Sequence, residues 1–184
     1  MGKRSHKKIF YKSKDALQNI REECKGLSEG IEQLERIKKE KFERTLDMYL
    51  KARRKWEEQP WYKKLFTNPP KRPYRPLIFL PDNLRRSITL IEVTYLRPFR
   101  GINDLPEEII NALHDISKIF GVEKLVEKIN EAWEHRMFYD AYETFGFSLK
   151  SNLPHFKIAV YGSSIRWERE LTHFAIYLST EVAL

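Results

Sequence analysis

The chain has 184 residues, near the size of one ordinary domain or one domain plus an arm, which excludes a large multidomain enzyme. Its 41% hydrophobic and 13% aromatic residues supply a core and argue against wholesale disorder, and the single cysteine, Cys24, excludes an intrachain disulfide or a cysteine zinc cluster. The net charge of +8 is uneven: residues 1–75 hold 22 Lys/Arg against 11 Asp/Glu, net +11, whereas residues 76–184 hold 12 against 15, net −3.

A basic segment joined to a mildly acidic remainder has the form of a polyanion-binding arm on an assembly or enzyme domain, because Lys and Arg displace counterions from phosphates. A solvated helical surface is the plainer explanation of the same excess. The abundance of Lys, Arg and Glu beside only three glutamines leans toward a thermophile. No window approaches eighteen uninterrupted apolar residues, and the basic start has no apolar run behind it, so neither a membrane span nor a secretion signal is expected.

The first fourteen residues carry Lys3, Arg4, Lys7, Lys8, Lys12 and Lys14 with no acid, and read as a tail that orders on meeting phosphate. From Leu17 the apolar positions Leu17, Ile20, Cys24, Leu27, Ile31 and Leu34 keep a 3-4 spacing, resumed at Phe42, Leu46 and Tyr49, which predicts helix to about Trp56. Gly26 and Gly30 each cost a helix interior about 1 kcal/mol against Ala, and Ser28 between them is an acceptable cap, so a bend near 26–30 is expected. A helical wheel gathers Lys41, Arg44, Lys51 and Lys55 on one side and Glu32, Glu40, Glu43 and Asp47 beside them. Such stripes suit phosphate contact or ordinary intrahelical pairing. Residues 59–76 contain Pro60, Pro69, Pro70, Pro73 and Pro76 and read as an extended basic elbow.

Beyond the elbow, four helices are expected: from Asp82 to about Arg97; from Asp104 to Phe120, stopped by Gly121; from Glu123 to Phe145; and from Pro154 to Leu178. The fold class is therefore all-α: a basic arm and bent helix pair (1–58), a Pro-rich basic linker (59–81) and a four-helix assembly domain (82–184). The β-branched run Ser87–Tyr95 and the segment Phe156–Tyr161 favour strand by propensity, which keeps an α+β C-terminal domain open as the alternative.

Chemistry is sparse. Glu131 and His135, four apart, are the only local pair with metal-ligand spacing, and no third ligand is visible, so no metal or other cofactor is expected. No phosphate loop, nucleophile elbow or metalloprotease helix occurs. Asp140, Glu143, Glu168 and Glu170 are the acids a nuclease would draw on, though solvated helix faces account for them more simply. The candidate phosphate contacts are the six arm residues together with Arg21, Lys25, Lys41, Arg44, Lys51, Arg54, Lys55, Lys63, Lys64, Lys71, Arg72 and Arg75.

This layout of arm (Lys3–Lys14), helix pair (Leu17–Trp56), elbow (Asn68–Pro76) and bundle (Asp82–Leu178) resembles the major capsid proteins of filamentous archaeal viruses, the lipothrixvirus and rudivirus type, in architecture. The resemblance implies a non-enzymatic capsid subunit, located in the virion. With copies of itself or a paralogous partner it polymerises around linear double-stranded DNA, holding it in A-form, in some cases inside a membrane envelope. A DNA-binding regulator and a nuclease or other DNA-processing enzyme are the rivals.

Overall fold

Strands take the place of two of the four expected C-terminal helices and of the second half of a third. A computed structural model describes residues 8–75, 77, 79–94, 99–139, 141–165 and 170–181. Its elements are strand β1 (Lys8–Tyr11), helix α1 (Lys14–Glu57), helix α2 (Trp61–Lys64), strand β2 (Ser87–Thr94), helices α3 (Glu107–Ile119) and α4 (Leu125–Glu134), and strands β3 (Met137–Tyr139), β4 (Tyr142–Lys150), β5 (Phe156–Ile165) and β6 (Glu170–Thr180). The strands form one antiparallel sheet in the order β1-β2-β6-β5-β4-β3. The all-α assignment and its four-helix bundle are thus overturned.

The reason lies in the spacing. Phe156 and Val160, or Phe174 and Leu178, are four apart, and an even separation keeps residues on one face of a strand as well as near one face of a helix. In the fold Phe156, Ile158 and Val160 are buried on β5 opposite Thr180, Leu178 and Ile176 of β6. Leu171 would fall out of step with Phe174, but a bulge at Thr172 restores it to the buried side, with Thr172 Oγ1 donating to the Ser163 carbonyl at 3.0 Å. A second bulge, at Leu90 in β2, buries Leu90 and Ile91 together.

The chain divides into two compact units, residues 1–28 with 81–183, and residues 29–80. In the first, Leu17 and Cys24 of α1, Ile109, Leu113 and Ile116 of α3, and Leu125, Ile129 and Trp133 of α4 share one hydrophobic cluster with the inward residues of the sheet. Helices therefore cover one face of the sheet. Fully burying each such Leu, Ile or Phe contributes about 1.5–3 kcal/mol.

The alternation also explains Gly162. It lies between Phe145 and Phe174 in adjacent strands, both buried, and a Cβ there would stand 2.1 Å from the Phe145 ring. That ring meets Trp133 edge-on at 5.8 Å, and Trp133 meets Phe99 at 4.9 Å. Beside them Arg136 lies over Trp133, and its Nε donates to Glu143, a carboxylate only 3% exposed that also accepts from Ser164 Oγ. A buried carboxylate needs such donors to offset its lost hydration.

Helix α3 keeps the expected inward face, and Gly121 ends it at φ +59° with Val122 N donating to the Ser117 carbonyl. Its expected cap is not used: Asp104 instead accepts from the Arg100 backbone N–H. The bend at 26–30 is also overturned, because α1 runs unbroken from Lys14 to Glu57. Ser28 does not cap a new helix. It is buried, and its Oγ donates to the Pro154 carbonyl at 2.6 Å, tying the helix to the β4–β5 connection. The arm, too, is partly regular: Lys8–Tyr11 pairs with Ile91–Thr94 as the edge strand.

Two substitutions test this packing by urea denaturation. Gly162→Ala is expected to cost at least 1–3 kcal/mol, the usual range for an overpacked core. Gly26→Ala, with nothing within 4 Å of the new Cβ, is expected to add about 0.5–1 kcal/mol; destabilisation there would restore the bend. Burial, helped by the charge of Glu23, pushes the Cys24 thiol up to about 11. Native protein near pH 8 should therefore resist a thiol reagent that labels the urea-unfolded chain rapidly.

Candidate nucleic-acid interface

In the second unit positive charge gathers where α1 ends. Residues 51–75 contain nine Lys/Arg and two acids, Glu57 and Glu58. Pro60 lacks the N–H needed to extend α1, and its carbonyl instead accepts from Lys63 N at 3.0 Å, starting the single turn of α2. Trp56 is the post around which this turn folds back. Its indole N–H reaches Thr67 Oγ1 at 3.2 Å, while the Arg53 guanidinium and Lys64 ammonium lie 5.0 and 5.4 Å from its ring centre. Lys64 Nζ also donates to the Glu57 carbonyl at 2.6 Å, and Arg53 Nε pairs with the Glu57 carboxylate at 2.6 Å.

These contacts use Arg53 and Lys64 to build the turn and leave others facing outward. Arg54, Lys55, Lys63, Lys71, Arg72 and Arg75 make no ion pair with a described residue. Among them stand exposed rings: Trp61 (75% exposed), Tyr62, Phe66 (89%) and Tyr74 (96%). Trp61 and Tyr62 meet edge-on at 6.3 Å. Unpaired cations interleaved with exposed rings offer charge to phosphates and flat faces to bases.

The other expected contacts are placed differently. Lys51 pairs with Asp47 at 2.7 Å and Arg44 approaches Glu40 at 3.9 Å, so the basic and acidic stripes of α1 partly pair with each other. Such exposed pairs are weak and yield readily to a phosphate. Lys41 is exposed. Lys8, Lys12, Lys14, Arg21 and Lys25 belong to the sheet-bearing unit: Lys8 pairs with Glu92 at 2.8 Å, Lys12 sits 5.1 Å over the Phe10 ring, and Arg21 Nε is buried without an acceptor. Lys14 and Arg21 line an open groove of about 650 Å³ with Lys118 and Asn152. Lys3, Arg4 and Lys7 lie outside the described residues.

The sequence reading passed over Arg53 and the organising role of Trp56. The signal was their i, i+3 spacing, which places a guanidinium against an indole on one helix face. Glu131 and His135 are engaged locally. His135 Nδ1 is 2.9 Å from the Glu131 carbonyl oxygen, and the Glu131 carboxylate accepts from Lys128, whose hydrogen bond holds it below the usual carboxylate range. Glu143 is committed to Arg136; Asp140, Glu168 and the Glu170 side chain lie outside the described residues. Among the described residues no three His, Cys, Asp or Glu side chains form a group suited to a metal ion, and no helix is long and apolar enough to cross a membrane. No protein-family model, curated protein or solved structure matches the chain, so the functional reading rests on this geometry.

Proposed function

We propose that this chain is a nucleic-acid-binding protein that grips phosphates through residues 51–75 without reading base sequence. The observation that carries the reading is the set of six cations with no ion pair to a described residue, among four exposed aromatic rings. Each cation that meets a phosphate releases condensed counterions, a gain independent of sequence. Of the two acids there, Glu57 is already held by Arg53, which leaves Glu58 as the carboxylate with no ion pair to a described residue.

Helical packaging of DNA in a virion, as implied by the resemblance to archaeal capsid proteins, is one form this binding would take. Its architectural support is weakened, since strands occupy 87–94 and 156–165 where that family has a helical bundle. The phosphate grip does not depend on that resemblance. A packaging protein and a regulator share it and differ in stoichiometry along the duplex.

The test is a fluorescence-anisotropy titration of the full chain with random-sequence duplexes between about 50 and 200 mM salt, with electron microscopy of the complexes. Six phosphate contacts predict a log-log salt slope of about −5. Charge reversal by Arg54→Glu, Lys55→Glu and Lys63→Glu together should weaken binding at least about tenfold and flatten the slope by about three. Absence of binding at the lowest salt would overturn the reading. Regular filaments would favour packaging, and discrete complexes with sequence preference would favour a regulator.

A further inference from the structure

The sheet has a second face, turned away from the helices, and its composition is unusual for a solvent face. Strand alternation places Ala159, Ala175, Gly146, Ser148 and Ser163 on it as a floor of small side chains. Over this floor stand Phe10, Tyr161 (40% exposed), Tyr177 and His173, with the Tyr161 and His173 ring centres 5.7 Å apart. Tyr177 lies diagonally across from Tyr161, because Tyr161 is opposite Ala175 and Tyr177 opposite Ala159, a separation of about 7–8 Å. Phe10 ends the same cross-strand row as Tyr161, through Glu92 and Ala175.

The charges on this face are arranged for an anion. Lys150 is directly opposite Lys157, a like-charge cross-strand pair that opposes sheet formation. Lys150 has no ion pair with a described residue, and Lys157 has only a 3.6 Å approach to Glu181. Lys8 and Lys12 flank the other end. Two acids occupy paired positions of this face: Glu92, matched by Lys8 at 2.8 Å and His173 Nε2 at 3.7 Å, and Glu170, which pairs with Ile165 at the end of β5. The Lys8 hydrogen bond, with help from the Lys8 charge and from His173, holds the Glu92 carboxyl below the usual range.

We infer that this face binds single-stranded nucleic acid, stacking unpaired bases on Tyr161, Tyr177 and Phe10 while Lys150, Lys157 and Lys12 take the flanking phosphates. A duplex hides its base faces from these rings, and a second copy of the sheet would set lysines against lysines. The floor is open at Gly146 and Ser148 beside Tyr161, whereas Ala175 is already covered, and stacking needs no particular base. The inference rests on the nucleic-acid reading above but names different residues and a narrower ligand.

The experiment compares a single-stranded oligonucleotide of about twelve thymidines with a duplex of equal length, each titrated against the full chain and two variants. Tyr161→Ala should weaken single-strand binding about tenfold and leave duplex binding within about twofold. Lys150→Glu, which sets a carboxylate opposite Lys157, should leave the thermal midpoint unchanged or raised while weakening single-strand binding and flattening its salt slope by nearly one. Unchanged single-strand affinity in both variants would overturn this inference and leave the phosphate grip standing. So would equal losses on strand and duplex, or a dimer in sedimentation that Tyr161→Ala dissociates. If the native chain binds neither ligand, both readings fail.

Discussion

The pairing of Phe156–Ile165 with Glu170–Thr180 is the constraint on which the first unit depends. It is central in the sheet, and the register that sets Ile158 against Leu178 and Val160 against Ile176 buries one face of both strands. A slip by one residue would exchange Phe156, Ile158 and Val160 for Lys157, Ala159 and Tyr161, so the core enforces the register strongly. The two bulges preserve this division where the sequence loses step. The same register, read on the reverse side, sets Tyr161 diagonal to Tyr177, while the β4–β5 register sets Lys150 opposite Lys157. Core and outer face are therefore two consequences of one pairing.

Aromatic packing closes the end of the sheet near α4. Phe145 fills the space over Gly162, Trp133 meets Phe145 and Phe99 at right angles, and Arg136 covers Trp133 while neutralising Glu143. Edge-on rings add about 0.5–1.5 kcal/mol each beyond their buried area. The charge of Glu143 is tolerated because Arg136 and Ser164 both donate to it.

In the second unit the same chemistry has a different outcome. A tryptophan again organises cations, but Trp56 does so on an exposed turn, where Arg53 and Lys64 are spent on structure and their neighbours are left without carboxylates. Exposed i, i+4 pairs along α1 contribute only a few tenths of a kcal/mol each and are easily exchanged for phosphate. Charge excess alone thus does not define the surface. What defines it is which cations lack partners.

The sequence by itself determined the basic first 75 residues, the helical character of 17–56 though not its continuity through Gly26 and Gly30, and the α3 segment with its Gly121 stop. Each follows from local chemistry: charge composition, 3-4 apolar periodicity, and a glycine that tolerates positive φ. Strand propensity at 87–95 and 156–161 was legible too, but spacings of four fit both periods, and nothing local decides between them. Only the tertiary structure decided, because a strand's hydrogen bonds go to partners distant in sequence, as when Ser87–Thr94 pairs with His173–Ser179. For the same reason Lys8 became the partner of Glu92, Ser28 an anchor on Pro154 rather than a cap, and Lys150 the neighbour of Lys157. Which cations remain free for a polyanion is a property of those long-range pairings, so composition located the basic half of the chain but not its working residues.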